Sequence, residues 1–211
     1  MRISCIVLAA GSSSRMGRPK PLLPFGAETG LSLVLKACGD PRTEEIVLVL
    51  GADSEAVRAA LPPQAGPPVK VVVNERHERG QTSSLKAGLE TISGRGDGFA
   101  ILPVDLPLAT SADLGSLVDR FEPRPRGRTI FLPVHQGRRG HPALFAGHHR
   151  SAILELPDTE PLNAYVRVRE GEVAEVRVDN PGVILPMNTP AEYRSALELW
   201  AARGAAGTPP A

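Results

Sequence analysis

The chain has 211 residues, 42% of them hydrophobic, a length that can bury a sizeable core as one globular domain. Lys plus Arg number 24 against 23 Asp plus Glu, and a net charge of +1 removes the electrostatic reason to expect a nucleic acid or a membrane surface as partner. The two cysteines, Cys5 and Cys38, are too few for a disulfide framework and lack metal-ligand spacing, so both read as small buried hydrophobes in a reducing compartment.

The first element is the apolar run Ile3–Ala10, which passes straight into a Gly/Ser loop. A membrane span needs about 20 apolar residues, and a signal peptide a longer apolar region than this. A buried strand fits the run better, and cytoplasmic residence follows as the default. Further strands are expected at Ile46–Leu50, Val69–Val73, Phe99–Val104, Thr129–Val134 and Val173–Val178. Several are apolar throughout rather than alternating, as strands covered on both faces are. Helical spacing marks Leu31–Cys38, Ser54–Leu61, Thr82–Ile92, Ser111–Phe121 and Pro190–Arg203. Asp53, Ser111 with Asp113, and Thr189-Pro190 supply the start signals for three of these. Alternating strands and helices predict an α/β fold: a doubly wound, mostly parallel, Rossmann-like sheet in three αβα layers. Leu61–Pro68 and Glu122–Arg128 read as polar or proline-rich links inside one domain spanning 1–203, and 204–211 as a disordered tail. The stretch from Gly137 to Arg169 is less regular, and predicts a hairpin and helix insertion at the ligand-binding edge.

Four segments carry chemistry. The loop Gly11-Ser12-Ser13-Ser14-Arg15-Met16-Gly17-Arg18-Pro19-Lys20 follows the first strand. Its Gly and Ser residues leave backbone N–H groups open to an anion, and Arg15 and Lys20 add positive charge. Five residues separate its glycines and no Lys-Ser/Thr follows, so it is neither a Walker A loop nor a GxGxxG fingerprint. Next, Asn74 ends a strand and Gly80-Gln81-Thr82-Ser83-Ser84 opens a helix. Amide and hydroxyl groups there suit a base edge and ribose, and the same groups suit ordinary helix capping. In Leu102-Pro103-Val104-Asp105-Leu106-Pro107-Leu108, a carboxylate stands at the end of an apolar strand, where it can serve Mg²⁺. Finally, Gly137-Arg138-Arg139-Gly140-His141-Pro142 brings cations and an imidazole that could meet a phosphate, or form a solvated turn. The other histidines show no zinc spacing.

The run LAAGSSSRMGRPKPLLPFG resembles the signature loop of the GT-A-like nucleotidyltransferases. These include the molybdopterin cytidylyl- and guanylyltransferases (MobA-like NTP transferases) and the sugar-phosphate nucleotidyltransferases. The resemblance extends through NE…GQTSSL, LPVDLPL and GxxGHPxLF, from about residue 3 to about residue 194. It implies nucleotide contacts from Ala9, Ala10, Gly11, Ser12, Asn74, Gln81, Ser83 and Ser84. It implies catalytic roles for Arg15, Lys20 and Asp105, with Asp105 a ligand of Mg²⁺. Arg139 and His141 fall on the acceptor side. Relatives often carry D-x-D-TP or N-x-N-TP near the C-terminus; here Pro186 takes the first position and Asn188 the second. Asn188 is then the candidate second metal ligand, with Asp179 as its substitute. Ala10 and Pro19, where the guanylyl branch has Gly and an acidic residue, make CTP the implied nucleotide rather than GTP.

The implied reaction is attack by an acceptor phosphate on the α-phosphorus of an NTP, with molybdopterin as acceptor and a molybdenum hydroxylase as client of the product. Such a nucleophile is already ionised and needs no general base, only positioning and charge neutralisation. Two other readings use the same residues: a sugar- or alditol-phosphate nucleotidyltransferase, and a non-catalytic accessory protein that delivers molybdenum cofactor.

Overall fold

All seven residues of the first strand, Ile3–Ala9 (β1), are buried. Their side chains alternate between two cores: Cys5, Val7 and Ala9 face one, Ile6 and Leu8 the other. Burial on both faces explains the unbroken apolar run. The computed structural model describes residues 1–12, 16–63, 66–122 and 127–205. Arg15 and residues 206–211 of the expected tail therefore lie outside the described residues.

After β1 come a 3-10 turn Lys20–Leu22, the short strands Pro24–Phe25 (β2) and Glu28–Thr29 (β3), and helix Gly30–Ala37 (α1). Thr43–Leu50 (β4), Ser54–Ala59 (α2), Val69–Val73 (β5), Gln81–Thr91 (α3), Gly98–Pro103 (β6) and Ser111–Phe121 (α4) follow. The second half holds Ile130–His135 (β7), Arg138–Arg139 (β8), Ala143–Ala146 (β9), His149–Leu154 (α5), Leu162–Arg167 (α6), Val173–Arg177 (β10) and Pro190–Ala205 (α7).

The main sheet runs β10-β7-β9-β6-β1-β4-β5, with β8 paired to β7. β1 is parallel to both β4 and β6, and β4 to β5. Leu31, Val34 and Leu35 of α1 and Leu114, Leu117 and Phe121 of α4 cover one face. Leu85 and Leu89 of α3, Ile153 of α5 and Tyr165 of α6 cover the other. The expected three-layer, mostly parallel α/β sheet is what forms. The irregular region resolves into two reversed strands and the helices α5 and α6: β8 is antiparallel to β7, and β9 lies antiparallel between β6 and β7. Among the described residues, no helix is long and apolar enough to cross a membrane.

Two cap assignments shift. α4 is capped by Thr110 rather than Ser111; the Thr110 hydroxyl accepts from Asp113 N (3.3 Å) while the Asp113 carboxylate accepts from Thr110 N (2.8 Å). Asp53 makes no side-chain cap to α2.

One buried carboxylate ties the sheet to its surroundings. Glu45 on β4 accepts from Ser4 Oγ (2.8 Å), Ser93 N (2.7 Å) and Lys70 Nζ (2.6 Å). Burial by itself raises its pKa, but these donors outweigh burial and hold it at about 2, below the ordinary 4.5. A depressed carboxylate stabilises the fold above its unfolded pKa, and that stability drains away as pH falls from about 4.5 toward 2. Glu45→Gln is expected to remove about 2 kcal/mol at neutral pH, a figure discounted for the solvent around Lys70, and to flatten the acid limb of stability. Urea titrations between neutrality and acid pH read both effects.

Candidate active site at the carboxyl edge of the sheet

β1 has β4 on one side and β6 on the other, so the connections leaving these strands part in opposite directions. A crevice opens where they part, outside the carboxyl ends of the strands. It is a hollow of about 510 Å³. Ala10, Gly11, Ser12 and Lys20 reach it from the loop after β1, Gln81 and Ser84 from α3, and Asp105 from the end of β6. Most of the residues expected to hold the nucleotide thus converge on one cavity. Ala9 does not: its methyl lies in the core beneath.

The loop before α3 is built by the remaining two candidates. The buried Asn74 donates from Nδ2 to Ser83 Oγ (2.9 Å) and Ser84 Oγ (3.0 Å), and its Oδ1 accepts from Arg76 N (3.0 Å). Ser83 donates to Gly80 O (2.8 Å). Both side chains therefore shape the loop, while Gln81 and Ser84 line the cavity. Gly80 has φ 118°, a backbone state that favours glycine, and among the described residues no side chain caps α3. Its first turn is left with the partial positive charge that suits phosphate.

Lys20 Nζ donates to Asn188 Oδ1 at 2.8 Å. The amide oxygen expected to ligate metal is thus an acceptor for Lys20. Asp179 is exposed just beyond β10 and does not line the cavity. Asp105 is held through its backbone: its carbonyl accepts from Met187 N (2.8 Å), which leaves the carboxylate to the cavity.

A second hollow, also about 510 Å³, adjoins the first, and Leu8 and Gln81 line both. Its walls are apolar (Leu85, Ile101, Leu132, Phe145, Val166), with Arg139, His141, Asn163 and Arg167 among them. His141 Nδ1 donates to Ile101 O (3.3 Å). Burial lowers its pKa from 6.5, against the opposing pull of the Ile101 carbonyl and the Asp105 charge. The ring is therefore neutral at pH 7, and with Nδ1 carrying the proton its Nε2 accepts. Arg139 is engaged by Glu170 (Nη1 to Oε2, 2.9 Å) and Glu175 (Nε to Oε1, 2.8 Å). An acceptor phosphate would have to compete with both. Asn163 and Arg167 escaped sequence reasoning because α6 carries no motif.

The segment that delivers His141 depends on a close approach. A Cβ on Gly140 would lie 2.1 Å from Val183 O, and His141 N donates to that same oxygen (2.9 Å). Gly140→Ala is expected to cost about 2 kcal/mol of stability and to displace His141. A denaturation curve measures the first, and the chemical shift of the His141 ring the second.

Elsewhere His148, His149 and Glu172 gather their donor atoms within 4.8 Å. Both nitrogens of His149 are taken, by Tyr165 Oη (2.8 Å) and Thr129 Oγ1 (2.8 Å), so His149 ties α5 to α6 and to the residue that leads into β7.

The sheet topology, the crevice at its reversal and the lysine and carboxylate within it define the class: nucleotidyltransferases with a Rossmann-like, GT-A-like fold. The chain belongs to the MobA-like NTP transferase family, whose domain model matches residues 5–175. It is 25% identical to the molybdenum cofactor cytidylyltransferase of Escherichia coli K12, over 94% of this chain and 97% of that one. It is 33% identical to a probable molybdenum cofactor guanylyltransferase of Rhodopirellula baltica, over 89% and 88%. Among solved structures, a Mycobacterium tuberculosis H37Rv protein in complex with manganese superposes with a TM-score of 0.74 at 28% identity, covering 94% of this chain and 99% of that one.

Proposed function

We propose that this nucleotidyltransferase moves CMP from CTP onto the phosphate of molybdopterin, with Mg²⁺, in the cytoplasm, and that the dinucleotide product serves a molybdenum hydroxylase. The observation that carries the reading is the pair of adjoining hollows, one with Lys20 and Asp105, the other with apolar walls, sharing Leu8 and Gln81. An acceptor phosphate oxygen attacks the α-phosphorus, the bond from that phosphorus to the β-phosphate oxygen breaks, and pyrophosphate leaves. Lys20, with Arg15, neutralises the departing charge, and the first turn of α3 faces the phosphates. Neutral His141 does not repel a cation at Asp105, and it accepts a hydrogen bond from the acceptor.

The donor set fits Mg²⁺, which prefers oxygen and uses one or two carboxylates together with substrate phosphates and waters. Asp105 supplies one carboxylate, with the Ser12 hydroxyl in the same cavity. Bound there, the ion would polarise the phosphate oxygens. The walls of Leu132, Phe145 and Val166 suit a flat heterocycle better than a sugar, which needs polar groups along its length. The cytidylyl relative, together with Ala10 and Pro19, supports CTP. Buried free thiols at Cys5 and Cys38 suit a reducing compartment.

The test is pyrophosphate release with Mg²⁺, molybdopterin, and CTP or GTP. Release with CTP above GTP is expected. Release only with a sugar or alditol phosphate would replace the acceptor. CTP binding without release for any acceptor would turn the reading to a delivery protein.

A further inference from the structure

The aspartate of the cavity stands on a short, tightly wound segment. Leu106 N donates to Pro103 O (3.2 Å) and Ala109 N to Leu106 O (3.4 Å), so residues 103–109 make two successive turns. One end of this segment is fixed by Met187 N on Asp105 O. The other end is the Leu108 carbonyl, and two side chains from distant parts of the chain meet on it. Asn180 Nδ2 donates to it at 3.0 Å, and Arg203 Nη1, near the end of α7, also at 3.0 Å.

These two side chains also hold each other. Arg203 Nη2 donates to Asn180 Oδ1, which accepts from Gly182 N as well (2.7 Å). Asn180 Nδ2 reaches the Asp113 carboxylate (2.5 Å), the same group that closes the cap of α4. A Cβ on Gly182 would lie 2.2 Å from Leu108 O, so glycine is what lets this strap lie against the carbonyl. A side-chain amide and a guanidinium converging on one carbonyl give that turn a fixed place, where solvent would give it a soft one.

We propose that Asn180 and Arg203 form a clasp on Leu108 that positions the Asp105 carboxylate for its cation, making them positioning residues for the metal although neither lines the cavity. This rests on Asp105 as the metal ligand, and the controls separate the two claims. Asn180 directly follows Asp179, the substitute for Asn188 as second metal ligand.

The experiment measures Mn²⁺ binding to the full chain with CTP present, from the electron paramagnetic resonance signal of free Mn²⁺. Arg203→Met keeps the aliphatic stem and removes the donors; Asn180→Ser shortens the other arm. Either is expected to weaken Mn²⁺ about tenfold, in the range seen when a partner of a metal ligand is lost. CTP binding without metal stays unchanged. Arg203→Lys, which can still donate to Leu108 O, is expected to restore most of the affinity, a rescue that a purely structural role does not require. Unaltered Mn²⁺ affinity in folded Arg203→Met and Asn180→Ser, with Asp105→Ala abolishing binding, would overturn the clasp alone. Unaltered affinity in Asp105→Ala would overturn the metal assignment and the clasp together.

Discussion

Replacing Asp105 by alanine is expected to lower pyrophosphate release about a thousandfold, equivalent to about 4 kcal/mol of lost transition-state stabilisation. The size follows from the chemistry. Asp105 is the carboxylate that the end of β6 brings to the cavity; the other one lining it, Glu78, stands on the His77–Arg79 turn before α3. The fold should scarcely notice. Asp105 is only partly buried, and its bond to the rest of the molecule, Met187 N to its carbonyl at 2.8 Å, runs through the backbone and survives the substitution. A thermal midpoint close to that of the parent beside the collapse in rate is the expected pair of results. A mutant that retained turnover with Mg²⁺ would remove Asp105 from the chemistry.

Replacing Lys20 by methionine is expected to cost about a hundredfold in kcat, the scale set by losing one fixed charge from a developing anion. Lys20 reaches the cavity from the turn after the first loop, and Asn188 holds it there at 2.8 Å. Asn188 is itself fixed: its N–H donates to Glu192 in the first turn of α7 (2.8 Å). If Asn188 acts through the lysine, Asn188→Ala costs about tenfold and adds nothing once Lys20 is gone, the signature of two residues working as a unit. If Asn188 instead ligates the cation, the two losses multiply and its removal shifts the Mg²⁺ dependence. Initial rates of the two single mutants and the double mutant, measured across Mg²⁺ concentrations, separate these outcomes.

The parallel half of the fold was legible because a strand buried on both faces is apolar along most of its length, as β1 is from Cys5 to Ala9 and β4 from Ile46 to Leu50. The reversed strand β9 was not. Four residues, Ala143–Ala146, carry no period, and their direction is decided by pairing to β6 and β7, where Leu144 meets Ala100 and Phe131, 44 and 13 residues away. The site divides the same way. Lys20 and Asp105 could be placed because each follows an apolar strand or its loop, and topology alone puts those ends together. Asn74 and Ser83 could not be told from cavity residues, because an amide and a hydroxyl that grip each other look in sequence like an amide and a hydroxyl that grip a ribose. Asp179, the substitute for Asn188 as metal ligand, lies away from the cavity, and Asn180 beside it carried no signal in sequence. The ionic residue of that pair drew attention while its neutral neighbour made the bonds.

Leu8 and Gln81 stand in the wall between two hollows of equal size. In the proposed reaction two separate guests enter and one longer molecule remains, lying across both chambers. Its halves are tethered, so either half that lets go is kept near its own chamber by the other. Pyrophosphate, confined to one side, carries no such tether. Departure of the joined product is then the slow event of the cycle, and a protein that takes this product directly from the open chambers would raise the turnover of the enzyme without touching its chemistry.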